Sequence, residues 1–371
     1  MTSKRIYYID KIKVLLCLMV ISIHASVCYG GSGSWYYTES TSSMTAKVVF
    51  TIFNAVVQSF SMGFFFFISA YFTPRSFNKK GTLKFLKDRF LRLGIPVIIF
   101  YFILNPTISY TLLTILYKKN LSYLSFLYHS ISNLKNLGFG PLWFVTALLI
   151  FSLFYVGIKN LFKNKISIPF PNNKIIFSFI IFLGLLSFLT RLVCPTGVEI
   201  LGMQLGYFPQ YIFLFTLGII AYENNWLNEI KSSCANLWFN IAIASIFILV
   251  ITLLLGANSN SVDDFLGGLH WQSFIYAAWE QFMCVGVCLK FITSFRDKFN
   301  TYSSFWSSMA LSSYPVYIIH APISVLIECL IIGFSVHPFI KFSIVVTSVS
   351  VICFSLSHYV LRRLPLLKKI L

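Results

Sequence analysis

Ten apolar runs follow one another along this chain, near residues 14–30, 48–72, 93–115, 141–158, 175–192, 207–223, 237–256, 269–292, 309–333 and 339–361. Each is close to the ~20 residues that a helix needs to cross roughly 30 Å of hydrocarbon. In lipid the backbone must satisfy its own N–H and C=O groups, and a run of this length does so as an α-helix. Only 11% of the 371 residues are charged, against about 25% in soluble domains. The expected fold is therefore an all-α integral membrane bundle of about ten transmembrane helices. It forms a single polytopic domain over residues 1–371, with no appended soluble domain.

The formal net charge of +18 would suggest nucleic acid in a soluble protein, but its distribution gives a plainer reason. With the N-terminus inside, the loops on the outer side hold only Lys47, Lys118, Lys119, Lys135, Arg191 and Lys341, which leaves 23 of the 29 basic residues inside. That is the positive-inside pattern, completed by contact with anionic lipid heads. Both termini are expected in the cytoplasm, with the protein in the cell membrane, and nucleic acid is not needed as a partner. Short polar segments such as 192–206 and 256–264 are the expected outer surface. The eight cysteines show no CxxC pair and no zinc spacing, so neither a metal nor a disulfide framework is expected. No A-x-A cleavage signal follows the first run, which is read as an uncleaved first helix.

Ionisable side chains inside a membrane are costly, by about 2.5–3.5 kcal/mol on insertion scales, and each calls for a reason. In the first helix, Asp10, Lys13, Cys17 and His24 fall within about 60° of one another at helical winding. His24 lies about 16 Å beyond Lys13, near the bilayer middle. The ninth run carries Tyr314, Tyr317 and His320 at i, i+3 and i+6, and the eighth carries Glu280. By rise per residue His320 and Glu280 reach a depth similar to that of His24. A lone membrane histidine is commonly a hydrogen-bonded core residue, but three ionisable groups from three helices at one depth point to catalysis. Arg89 and Arg92, at helical spacing near the inner surface, could grip phosphate bidentately, although a positive-inside anchor explains the neighbouring lysines. Trp143 reads as an interfacial belt residue and Arg191 as a snorkelling arginine at the end of the fifth helix.

Taken in order, several motifs resemble the acyltransferase-3 family of bacterial multi-pass O-acyltransferases, over residues 5 to about 325. They are Arg5-Ile6-Tyr7-Tyr8-Ile9-Asp10 with Lys13 and His24, Arg89-Phe90-Leu91-Arg92-Leu93-Gly94-Ile95-Pro96, and Gly140-Pro141-Leu142-Trp143-Phe144. Further along come Leu205-Gly206-Tyr207-Phe208-Pro209-Gln210-Tyr211, Trp279-Glu280 and Ser313-Tyr314-Pro315-Val316-Tyr317-Ile318-Ile319-His320. The resemblance implies a bundle of about ten helices that moves an acyl group, usually acetyl, from cytoplasmic acyl-CoA to a hydroxyl of a surface or lipid-linked glycan. It also implies a catalytic role for His24 and an acyl-donor role for Arg89 and Arg92. Acyl-CoA is then a co-substrate, with no permanently bound cofactor.

A thioester is already activated, so such an enzyme needs a base for the acceptor hydroxyl and donors for the oxyanion. His24 is the expected base or acyl relay, with Glu280 or Asp10 orienting it. His320, Tyr314 and Tyr317 are expected along the same channel, and Trp143 and Arg191 at an outer mouth for the sugar. Two departures from the family pattern stand out. Lys13 occupies the position, eleven residues before the histidine, where the family usually has arginine, and the hydrolase-like domain of long members does not follow Leu371. The competing readings are a lipid-linked glycan transporter or flippase, which needs no CoA site, and a non-enzymatic membrane sensor, in which His24 is replaceable.

Overall fold

The computed structural model describes residues 5–161, 167–256, 262–365 and 367–370. Lys4, the basic residues within 162–166 and the centre of the 256–264 segment lie outside the described residues. Among the described residues the chain is helical, with one isolated bridge between Ile200 and Met203 in place of any strand. Ten helices are long and apolar enough to cross a membrane. They are α1 (Tyr7–Cys28), α2 (Met44–Lys80), α3 (Thr82–Ile115), α4 (Gly140–Lys159), α5 (Asn173–Val193), α6 (Leu205–Glu223), α7 (Ser232–Leu255), α8 (Trp271–Phe299), α9 (Ser304–Leu330) and α10 (Pro338–Arg363). The expected number holds. The ends do not, because hydropathy detects only the apolar part of a span: α1 begins seven residues before its apolar run and α8 continues seven residues beyond it.

The chain divides into two compact units that alternate along the sequence. The first comprises residues 1–12, 58–82 and 154–301. In it α5, α7 and α8 pack closely where glycine replaces a side chain. A Cβ on Gly184 would lie 3.0 Å from the Ala278 backbone, and one on Gly286 would lie 2.5 Å from the carbonyl oxygen of Trp238. Small residues at such crossings are how membrane helices, lacking a hydrophobic drive toward one another, gain van der Waals contact.

The second unit comprises residues 13–57, 83–153 and 302–371. Its core joins Cys17, Ile21 and Ala25 of α1 to Phe50 of α2, Val316 and Ile327 of α9, and Val345, Val349 and Cys353 of α10. Within α3 the ladder widens into π turns at Phe90–Gly94 and Phe100–Leu104, close to Pro96 and Pro106. A proline lacks the N–H that would close the α turn before it, and π turns are one way a helix absorbs that loss. Between α1 and α2, residues 29–43 form a strap without regular structure. Three of its anchors lie within residues 35–39. Tyr36 donates its hydroxyl to Asn105 Oδ1 at 2.5 Å, Trp35 bonds to Glu328, and Lys341 Nζ meets Glu39 at 2.6 and 2.8 Å.

Candidate active site

The polar stripe of α1 is turned toward α9. Cys17 Sγ lies 3.6 Å from the Ser313 carbonyl, and the ring of His24 stacks on that of His320 with centroids 5.3 Å apart. Both pairs are separated by seven residues on each helix, so α1 and α9 run side by side in the same direction. His320 is fully buried, and its Nδ1 lies 2.7 Å from the Tyr317 carbonyl. A carbonyl can only accept, so Nδ1 carries the proton and a neutral ring keeps its lone pair on Nε2. That Nε2 is buried with no hydrogen-bond partner, and so is Nδ1 of the half-buried His24. Leaving a buried polar atom unmatched costs about 1–3 kcal/mol. The two stacked imidazoles therefore each present a nitrogen that the fold itself does not use.

The strap supplies the other face. The indole of Trp35 stacks on His24 at 3.9 Å with the planes 18° apart. Its Nε1–H donates to both carboxylate oxygens of Glu328, at 2.9 and 3.2 Å. Glu328 is 0% exposed and sits on α9, two turns beyond His320.

The other sequence-predicted residues divide into three groups. Tyr314 and Tyr317 do flank His320 on α9, and both hydroxyls are engaged. Tyr317 donates to the Pro141 carbonyl at the start of α4 and packs edge-on against Phe144. Tyr314 donates to the carbonyl of Arg92, the group whose α-helical donor would have been the N–H missing from Pro96. Trp143 follows the same short turn, Gly140–Leu142, and is half-buried.

Arg89 and Arg92 lie close enough to act on each other electrostatically, and both act on Tyr314. Arg89 stacks on Phe85 at 4.8 Å, while the exposed Arg92 turns to Asp88 at 3.7 Å. A π turn begins at Phe90, between the two arginines. Lys13 is half-buried on α1. Asp10, expected to orient His24, is instead held by Arg5 at 2.5 Å near the opposite end of α1.

In the first unit, Glu280 is bonded to Arg191 at 2.5 Å, and both side chains are 1% exposed. Arg191 also donates Nε to the Gly206 carbonyl at 3.3 Å and lies over the rings of Tyr207 and Tyr276, at 5.0 and 5.6 Å. It does not snorkel to an interface. Its charge is matched by a carboxylate, which removes the reason to reach water. Within the second unit, the acid associated with the His24 stack is Glu328. Glu328 was visible in the sequence as a lone acid in the apolar stretch Ile323–Leu330, whereas Trp35 gave no signal beyond being aromatic.

An acyltransferase-domain family model matches residues 6–358. The chain belongs to the acyltransferase-3 family. Over 96 residues it is 35% identical to glucans biosynthesis protein C of Escherichia coli strain K12, covering 26% of this chain and 24% of that relative. The protein of the same name from Escherichia coli strain SMS-3-5 is 34% identical over an equal stretch. The match thus spans about a quarter of the length of these curated relatives. No solved structure matches the chain. Family membership and ten apolar helices together make this acyltransferase-3 chain a multi-pass membrane protein with an acyltransferase domain.

Proposed function

We propose that the protein transfers an acyl group, first of all acetyl, from cytoplasmic acyl-CoA to a hydroxyl of a surface or lipid-linked glycan, with His24 as the general base. The observation that carries this reading is the imidazole of His24, half-buried on a membrane helix, with Nδ1 unused by the fold and a second such histidine stacked against it. In the proposed step His24 takes the proton of the acceptor hydroxyl, and the oxygen attacks the thioester carbonyl. The new C–O bond forms as the C–S bond breaks, and the imidazolium returns its proton to the departing CoA thiolate. His320, with its lone pair on Nε2, is a second proton acceptor beside the first. Arg92, exposed and loosely paired, and Arg89 are proposed to meet the CoA phosphates. The likeness to glucans biosynthesis protein C makes a glucan the first acceptor to try.

The test uses purified protein in lipid nanodiscs with radiolabelled acetyl-CoA and glucan oligosaccharides, following label in glycan and free CoA. Transfer by wild type that is lost in His24→Gln, with unchanged melting, supports the reading. Transfer that persists in His24→Gln removes His24 as the base. Absence of transfer by wild type with acetyl, succinyl and longer acyl-CoAs, on glucan and on total membrane glycan, refutes the acyl-transfer reading.

A further inference from the structure

His24 acquires a positive charge when it takes a proton, and a half-buried cation needs a partner that the neutral ring did not. Within the second unit, no acidic side chain among the described residues bonds to the imidazole. What does touch it is the face of Trp35, at 3.9 Å and nearly parallel. Behind that indole, the fully buried carboxylate of Glu328 accepts the Nε1–H through both oxygens. A tryptophan face is the most favourable aromatic surface for a cation, and an acceptor on the ring N–H draws the N–H dipole so that the face becomes more negative.

We infer that Trp35 and Glu328 form a positioning pair for His24, in which the indole face orients the imidazole and stabilises its protonated form while Glu328 fixes the indole. The inference rests on the reading of His24 as the base.

The strap explains how the indole is held to this task. Its neighbours Tyr36 and Glu39 are tied to Asn105 of α3 and Lys341 of α10. Asn105 in turn donates Nδ2 to the Asn136 carbonyl at 2.8 Å, which fixes the anchor. Neither of these bonds involves the indole, so the strap can stay in place when the Trp35 side chain is changed. Trp35 is also set apart from a lipid-belt tryptophan, whose N–H meets headgroups and water. Here the N–H is spent on a buried acid.

The experiment compares full-length wild type, His24→Gln, Trp35→Leu, Trp35→Phe and Glu328→Gln in nanodiscs, measuring kcat and the KM for acetyl-CoA with glucan oligosaccharides, together with melting temperature. Trp35→Leu is expected to lower kcat by about tenfold or more with KM within about twofold, as loss of a desolvated cation–π contact requires. Trp35→Phe recovers part of that loss, because it restores a weaker ring face. Glu328→Gln, which keeps an acceptor but removes the charge, lowers kcat with less loss than Trp35→Leu. If His24→Gln is inactive while Trp35→Leu keeps kcat within about twofold of wild type, this inference alone is overturned. If Trp35→Leu, Trp35→Phe and Glu328→Gln lose kcat equally and in step with melting temperature, the pair is only packing, and the inference is overturned as well. Should Trp35→Leu not fold, Glu328→Gln decides, and wild-type kcat in that variant refutes the pair. Full activity of His24→Gln overturns both readings together.

Discussion

Removing either charge of the Arg191–Glu280 pair should damage the fold far more than removing both. The two side chains are 1% exposed and meet at 2.5 Å. Two unit charges about 4 Å apart attract by about 4 kcal/mol at an effective dielectric constant near 20. Desolvating each ion costs several kcal/mol, so the intact pair gains little net. Glu280→Ala leaves a guanidinium with the Gly206 carbonyl and the faces of Tyr207 and Tyr276 as its remaining partners. Arg191→Ala leaves a buried carboxylate. Each single change is expected to cost about 3–5 kcal/mol, whereas Arg191→Ala with Glu280→Ala should cost much less than the sum. Reversible unfolding of the four proteins by SDS titration in mixed micelles gives the coupling energy directly. A double variant as unstable as the two singles added together, or either single as stable as wild type, would refute the argument that each ion is held mainly by its partner.

Three smaller changes test other joints. Tyr314→Phe removes the donor to the Arg92 carbonyl that Pro96 leaves without an α-helical partner, and should destabilise by about 1–3 kcal/mol in the same titration. Gly140→Ala introduces a side chain at φ +44°, with its Cβ 2.1 Å from the Tyr36 hydroxyl. The expected outcome is a lower melting temperature, of order 1–3 kcal/mol from the backbone alone, together with lost activity as Tyr36 is displaced. Lys341→Met unties Glu39 from α10, and faster proteolysis confined to residues 29–43 is the expected readout.

Hydropathy carried the architecture because each span announces itself locally, by some twenty consecutive apolar residues. His24 was legible for the same reason. Its cost in the membrane, and its place on a stripe with Cys17, are properties of one helix. Partner choice is not local. Trp35 and Glu328 are 293 residues apart, and nothing in a Gly-Ser-Trp-Tyr-Tyr loop marks the indole as the one that enters the core. Depth alone suggested Glu280 for His24, yet depth says nothing about azimuth, and Glu280 is turned to Arg191 of α5. The π turn at Phe90–Gly94 was hidden for a third reason: a constant helical twist is all that sequence spacing offers at Arg89 and Arg92.

The three anchors within residues 35–39 also set an order of assembly. Tyr36 finds Asn105 early, but Trp35 waits for Glu328 and Glu39 for Lys341. A nascent chain of eight helices holds the proposed base and Trp35 but lacks His320, Glu328 and Lys341. The stack on His24 is therefore complete only once the last two helices have been made.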